Sequence, residues 1–217
     1  MKIGVLGTGL MGAKLGTLWA WAGHDVTFSY SRRPERLERL ARDAGARAGT
    51  PAEAIDGADA VLLAVHWSRI DDVLGQAGNL AGRVVVNCCV PLDLDNRDLV
   101  LGTTTSGAEV LARRLPRARL VSAFNSCPSE ALFEVFAARE AASPRPHLLY
   151  YGDDAEAKSV ARRLIRDVGY EPLDAGPLRT ARFVEPFAMV TAELAYEQPG
   201  GPALVYRFER LGGTADS

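Results

Sequence analysis

The segment GTGLMG at 7–12 matches the pattern GxGxxG. By itself the pattern is weak, because glycine marks turns everywhere. Here it directly follows the apolar run KIGVLG and directly opens an apolar-striped helix, which is the context a dinucleotide site requires. Gly7 permits a tight turn, Gly9 lets the backbone approach a pyrophosphate, and Gly12 allows helix and strand to pack closely. The helix start would offer unpaired N–H groups and the positive dipole end to phosphate. Loop residues Thr8, Leu10 and Met11 are counted with the glycines as cofactor-binding.

The second chemical signal lies about 20 residues further on, where an acidic residue commonly binds the ribose hydroxyls of NAD. The chain instead reads FSYSRRPERL over 28–37, offering Ser31, Arg32, Arg33 and Arg36. A carboxylate here would repel a 2′-phosphate, whereas guanidinium groups form charge-assisted, often bidentate bonds with one. The pattern therefore predicts NADP(H) over NAD(H). A solvated surface turn with spare arginines is the alternative.

Other candidates lie at strand ends. Ala64, Val65 and His66 close the run DAVLLAV and enter HWSR. Val90 and Pro91 (VPLD) and Asn125, Ser126 and Pro128 (AFNSCPSE) end two later runs. Ligands of open α/β sheets bind outside such carboxyl ends, so these loops are expected at the nicotinamide end. Turn residues would look the same. His66 is a weak catalytic candidate, with a capping or packing role as its competitor. His24 and His147 read as structural. No YxxxK, acid–base pair, Ser/His/Asp set or metal-ligand cluster stands out, so no metal is expected. Hydride transfer between stacked rings needs none of these, since positioning supplies most of the catalysis.

The elements that must hold these residues follow from the patterning. Near-continuous apolar runs at 2–7, 25–30, 59–65, 83–90, 118–124 and 147–152 predict parallel strands covered on both faces. Between them, Leu10, Met11, Leu15, Leu18, Trp19 and Ala22 form a helical stripe closed by Gly23. TPAE at 50–53 forms a capping box with Pro51 in the first turn, and 153–169 runs from aspartates to a glycine. The alternation predicts a doubly wound, mostly parallel α/β sheet. A largely apolar helix is expected over 179–198, with one proline, Pro186, and it needs a covering surface. We therefore expect an NADP-binding domain over 1–170. A small C-terminal helix and tail over 171–217 would pack on it or on a partner subunit.

With 217 residues and a net charge of −2, one sizeable core fits, and nothing recommends nucleic acid or an anionic membrane as partner. No apolar run reaches the roughly 20 residues of a membrane-spanning helix. The chain reads as a strand from MKIGVLG onward, so no leader is expected. Cys88, Cys89 and Cys127 read as buried free thiols in a cytoplasmic protein, with the adjacent pair pointing to opposite faces of a strand.

Taken together, GTGLMG, SRRPE, TPAEAIDGADAVLLAV, VVNCCVPL, TSGAEVLARRLP, LVSAFNS and LDAGPLRTARFVEPFAM resemble the F420-dependent NADP reductase family along nearly the whole chain. The resemblance implies a Rossmann-type fold with a small C-terminal helical region, usually a homodimer. It also implies hydride transfer between NADP(H) and a deazaflavin, coenzyme F420, or a flavin-like ring as co-substrate. By position, Thr8, Ser31, Arg32 and Arg36 would hold the 2′-phosphate, and the loops at His66, Pro91 and Asn125 would frame the nicotinamide. Leu10 in the glycine loop and His66-Trp67 at the edge loop depart from the family pattern. Reduction of another small acceptor (ferric iron, an imine, a quinone) and a non-catalytic NADP(H)-sensing role remain the alternatives.

Overall fold

In the computed structural model, which describes residues 1–211, the first strand lies inside the sheet rather than at its edge. Strands β1 (Lys2–Leu6), β2 (Asp25–Ser29), β3 (Arg47–Ala48), β4 (Ala60–Leu63), β5 (Val84–Asn87), β6 (Arg119–Ala123), β7 (His147–Gly152) and β8 (Glu171–Asp174) form one sheet ordered β3-β2-β1-β4-β5-β6-β7-β8. The chain builds outward from β1 to β3, returns to β4 on the other side, and so creates a topological switch between β1 and β4. All neighbours are parallel except β6 and β7, where Ser122 faces Tyr151 in antiparallel register. The expectation of a doubly wound, mostly parallel α/β sheet is borne out.

Helices α1 (Leu10–Trp21), α2 (Pro34–Ala44), α3 (Pro51–Ile55), α4 (Ile70–Ala77), α5 (Gly107–Arg114), α6 (Ala131–Ala138), α7 (Ala155–Val168) and α8 (Ala181–Ala192) cover both faces. Two apolar clusters result. Ile3, Val5, Phe28 and Val86 pack with Leu15, Leu18 and Trp19 on one face. On the other, Leu6, Leu63 and Val85 pack with Ile70 and Val73. Neighbouring residues of one strand thus enter opposite clusters, which is why the strands read as unbroken apolar runs. Cys88 and Cys89 obey the same alternation, one in each cluster.

Three strands end one residue before their apolar runs, and for one reason. Gly7, Tyr30 and Phe124 take positive φ values of 109°, 59° and 65°, which turns the chain out of the ladder. Strand β5 stops at Asn87 because its Oδ1 accepts the backbone N–H of Cys89 at 3.0 Å, a local bond that competes with sheet pairing.

The local helix signals hold. Thr50 and Glu53 form the capping box at α3, with Pro51 in its first turn. Asp154 caps α7 and Gly169 closes it in left-handed conformation. His24 is structural, its Nε2 lying 2.8 Å from Asp167, and His147 Nδ1 accepts the Phe208 N–H at 2.9 Å.

The C-terminal part departs from the expected single helix over 179–198. A 3₁₀ turn at Leu178–Thr180 precedes α8, and a π-type turn at Glu193–Glu197 follows it. Pro186 lies inside α8 and leaves the Arg182 carbonyl without its helical N–H partner. Strand β8 carries the sheet to Asp174, past the boundary read at residue 170, because residue 171 pairs beside β7. Helix α8 packs on α5: Arg182 Nε and Nη2 donate to Glu109 at 2.8 and 2.7 Å. Positions 212–217 of the expected C-terminal region lie outside the described residues.

Candidate functional site

The three glycines of the 7–12 loop are small for different reasons. A Cβ on Gly7 would stand 2.4 Å from the Ala64 carbonyl oxygen, and one on Gly12 only 1.9 Å from the Gly7 carbonyl oxygen. Both are demanded by the protein's own packing. A Cβ on Gly9 would meet nothing within 4 Å, so the fold itself does not require that glycine. Its bare backbone opens into a cleft and fits a group that must approach closely. Gly9 is the cap of α1, which has no side-chain cap bond and no acid in its first turn. The helix therefore presents free N–H groups and a positive end to whatever binds there.

The cleft has a volume of about 1420 Å³, above the roughly 300–1,000 Å³ usual for drug-sized ligands. Gly7, Thr8, Gly9 and Leu10 line it, as do Ser31, Arg32, Arg33 and Arg36, and Ala64, Val65 and His66. The structure thus joins three separated sequence signals in one cavity at the switch point. Ser31 Oγ accepts the Arg33 N–H at 3.3 Å and so pins the arginine turn. Arg32, Arg33 and Arg36 are exposed and take part in no ion pair among the described residues. Their charges are free for an anion.

Leu10 corrects part of the helical stripe. As the first residue of α1 it is 68% exposed and lines the cleft, because it precedes the turns that reach the sheet. Ala22 is also exposed, at the far cap, while Leu15, Leu18 and Trp19 are buried as expected.

His66 is held at both ring nitrogens. Nδ1 accepts the Ser68 N–H at 3.2 Å, and Nε2 lies 2.9 Å from the Asp93 carbonyl oxygen, to which it donates. This pattern assigns the Nε2–H tautomer and fits a capping role better than proton transfer.

Met11, Gly12, Val90, Pro91 and Asn125 do not line the cleft. Met11 packs against the core. Pro91 is buried against Gly107, whose Cβ would stand 3.0 Å from Pro91 Cδ. Asn125 is buried and donates from Nδ2 to Tyr151 at 2.6 Å, leaving its Oδ1 without a partner among the described residues. Ser126 Oγ lies 2.8 Å from the Tyr206 hydroxyl.

Sequence reasoning missed several lining residues: Lys14, Tyr30, Arg69, Asp72, Gln76 and Leu94. Tyr30 sits within the quoted basic stretch, but its partner does not. Its hydroxyl donates to Asp72 on α4. Burial, aided by that carboxylate, pushes the Tyr30 phenol up to about 12, and the phenol's bond holds the Asp72 carboxyl below the usual range. No short motif links positions this far apart.

The chemistry available is restricted. No cluster of three or more His, Cys, Asp or Glu able to hold a metal occurs among the described residues. Burial raises all three thiols, Cys89 and Cys127 to about 12 and Cys88 well above its ordinary value, so none is an activated nucleophile. Among the described residues no helix is long and apolar enough to cross a membrane.

Residues 2–91 match the family model described as NADP oxidoreductase, coenzyme F420-dependent. A crystal structure of a candidate F420-dependent NADP-reductase from Arthrobacter sp. FB24 is similar with a TM-score of 0.84 and 27% identity, covering 97% of this chain and 100% of that one. The metalloreductase STEAP3 of Rattus norvegicus is 31% identical over 187 residues, 85% of this chain and 36% of the relative. The chain thus spans about a third of that relative's length. An imine reductase of Streptomyces aurantiacus, at 22% identity and a TM-score of 0.65 over 88% of this chain and 62% of that one, shares the fold. These likenesses bear out the resemblance read from the sequence and the Rossmann-type fold.

Proposed function

We propose, for a chain whose residues 2–91 match the coenzyme F420-dependent NADP oxidoreductase family, that it passes hydride between NADP(H) and a deazaflavin or flavin-like ring. The observation that carries the cofactor half is one cavity. It joins the open backbone at Gly9 to the unpaired arginine turn. In this reading the α1 N-terminus and Gly9 hold the pyrophosphate. Thr8, Ser31, Arg32 and Arg36 hold the 2′-phosphate, with Arg33 adjoining, and Ala64, Val65 and His66 lead toward the nicotinamide. Met11 and Gly12 support the loop from behind. The loops of Val90, Pro91 and Asn125 act from the second layer, by shaping the strand ends. Bound NADPH would supply the hydride.

The acceptor half rests on the family resemblance and on a chain with no YxxxK motif and no metal-ligand cluster among the described residues, since ring-to-ring hydride transfer asks only for positioning. The same observation favours a second reading, a non-catalytic NADP(H) sensor. Mixing the protein with NADPH and oxidised deazaflavin, with FMN and ferric chelate in parallel and NADH as control, separates the two. Deazaflavin bleaching with NADPH supports the first reading. NADPH binding without consumption of any acceptor supports the second.

A homodimer is also part of our reading. Phe183, Val190 and Leu194 leave apolar surface on the outer side of α8 and the turn after it, at 62%, 53% and 49% exposure, and light scattering would give the mass. The free thiols Cys88, Cys89 and Cys127 support a reducing, cytoplasmic setting.

A further inference from the structure

We infer that Asp72 reads the 6-amino group of adenine and makes the cleft selective for the base as well as for the 2′-phosphate. The inference rests on the NADP(H) reading above. In that cofactor the 2′-phosphate and the base share one ribose, so a base must lie beside the group that meets Arg32 and Arg36. The surface beside the arginine turn is built by Tyr30, by Gly49, Thr50 and Pro51, and by Arg69, Asp72 and Gln76.

Asp72 is the one carboxylate among the described residues lining the cleft. Beside groups that bind phosphate, a carboxylate suits a hydrogen-bond donor of the ligand rather than a further anion. Two neighbours orient it: the Tyr30 hydroxyl donates to Oδ2, and Gln76 Nε2 donates to Oδ1 at 3.1 Å. Two carboxylate oxygens offer about four acceptor sites, so each oxygen keeps one for a ligand. The left-handed backbone of Tyr30, φ 59°, carries its phenol toward α4 instead of along the strand. The Tyr30 ring and the Arg69 guanidinium are flat groups able to stack on a base.

An acceptor-only carboxylate distinguishes a purine amine from a purine carbonyl. The amine donates a charge-assisted hydrogen bond, whereas a 6-oxo group in its place would set oxygen against oxygen and leave only the neighbouring N1–H of the hypoxanthine to donate from a shifted position. The donors that the adenosine half of NADPH could offer such a carboxylate are the 6-amino group and the ribose 3′-hydroxyl.

The probes are NADPH and its hypoxanthine analogue, in which a 6-oxo group replaces the amine, titrated into the full chain by calorimetry. Wild type should bind NADPH roughly 10-fold or more tighter than the analogue, the value of one charged hydrogen bond. Asp72→Asn, whose amide can also donate, should bring the ratio to about one or invert it, and Asp72→Ser should reduce it. Both substitutions are at an exposed position, and a circular dichroism melt checks the fold. Equal affinity of wild type for the two nucleotides overturns the inference while leaving the cofactor assignment intact. An equal loss for both in Asp72→Asn also overturns it, and assigns the carboxylate to the ribose hydroxyl. Failure of folded wild type to bind NADPH would instead defeat the reading on which the inference stands.

Discussion

Glu185 accepts the backbone N–H of Gly107 at 2.8 Å, so a carboxylate 1% exposed fastens the C-terminal helix α8 to the first turn of α5. Ala108 donates to its other oxygen at 2.9 Å, and the Arg182–Glu109 pair lies on the same two helices. The motif that carries the family resemblance at the C-terminal end thus holds the fold together, away from the cleft lining.

The arrangement gives a pH dependence. Desolvation, the largest influence, outweighs the two N–H bonds and raises the Glu185 carboxyl from 4.5 to about 7, with Glu109 adding to the rise. The folded value is above the unfolded one, so the group's contribution is fully present below about pH 4.5 and lost as pH rises through 7. Linkage puts its size on the order of 3 kcal/mol. Thermal melts at about pH 5 and about pH 8 should show this loss in wild type and a flatter dependence in Glu185→Gln. Parallel curves would remove Glu185 as the cause.

The loop glycines should separate by readout. Gly9→Val should leave the fold intact and abolish binding of NADPH and NADH alike, because the added carbons enter the cleft. Gly12→Ala should instead lower stability by about 1–3 kcal/mol or more, since its Cβ would lie 1.9 Å from the Gly7 carbonyl oxygen. Normal NADPH affinity in Gly9→Val would sink the loop assignment.

Arg32→Glu reverses a charge at the turn. If two arginines each give roughly 1.5–3 kcal/mol, wild type should favour NADPH over NADH by at least ~10²-fold, and the variant should lose that preference. An unchanged affinity ratio would show that the 2′-phosphate lies elsewhere.

His66→Ala should raise the KM for NADPH several-fold and leave the pH profile of kcat unaltered. The ring serves the Ser68 N–H and the Asp93 carbonyl, so its loss loosens the cleft wall without removing a proton donor. A missing limb in the kcat profile would instead make His66 an acid or base.

What the sequence determined by itself was what local chemistry controls. The tight turn at Gly7 and the close packing at Gly12, the capping box of Thr50 and Glu53, and the helix from Asp154 to Gly169 depend on residues within a few positions of each other. The both-faces burial of β1, β4 and β5 was legible for the same reason, as unbroken apolar runs. Tertiary structure decided the rest. The Tyr30–Asp72 bond spans 42 positions and the Glu185–Gly107 bond 78, and the antiparallel placement of β7 leaves no mark in its own apolar pattern. Leu10 reads as one more apolar residue of a stripe until the packing of α1 on the sheet leaves it over the cleft. Contacts between distant segments form because packing brings them together, and neither partner carries a local signal of the other.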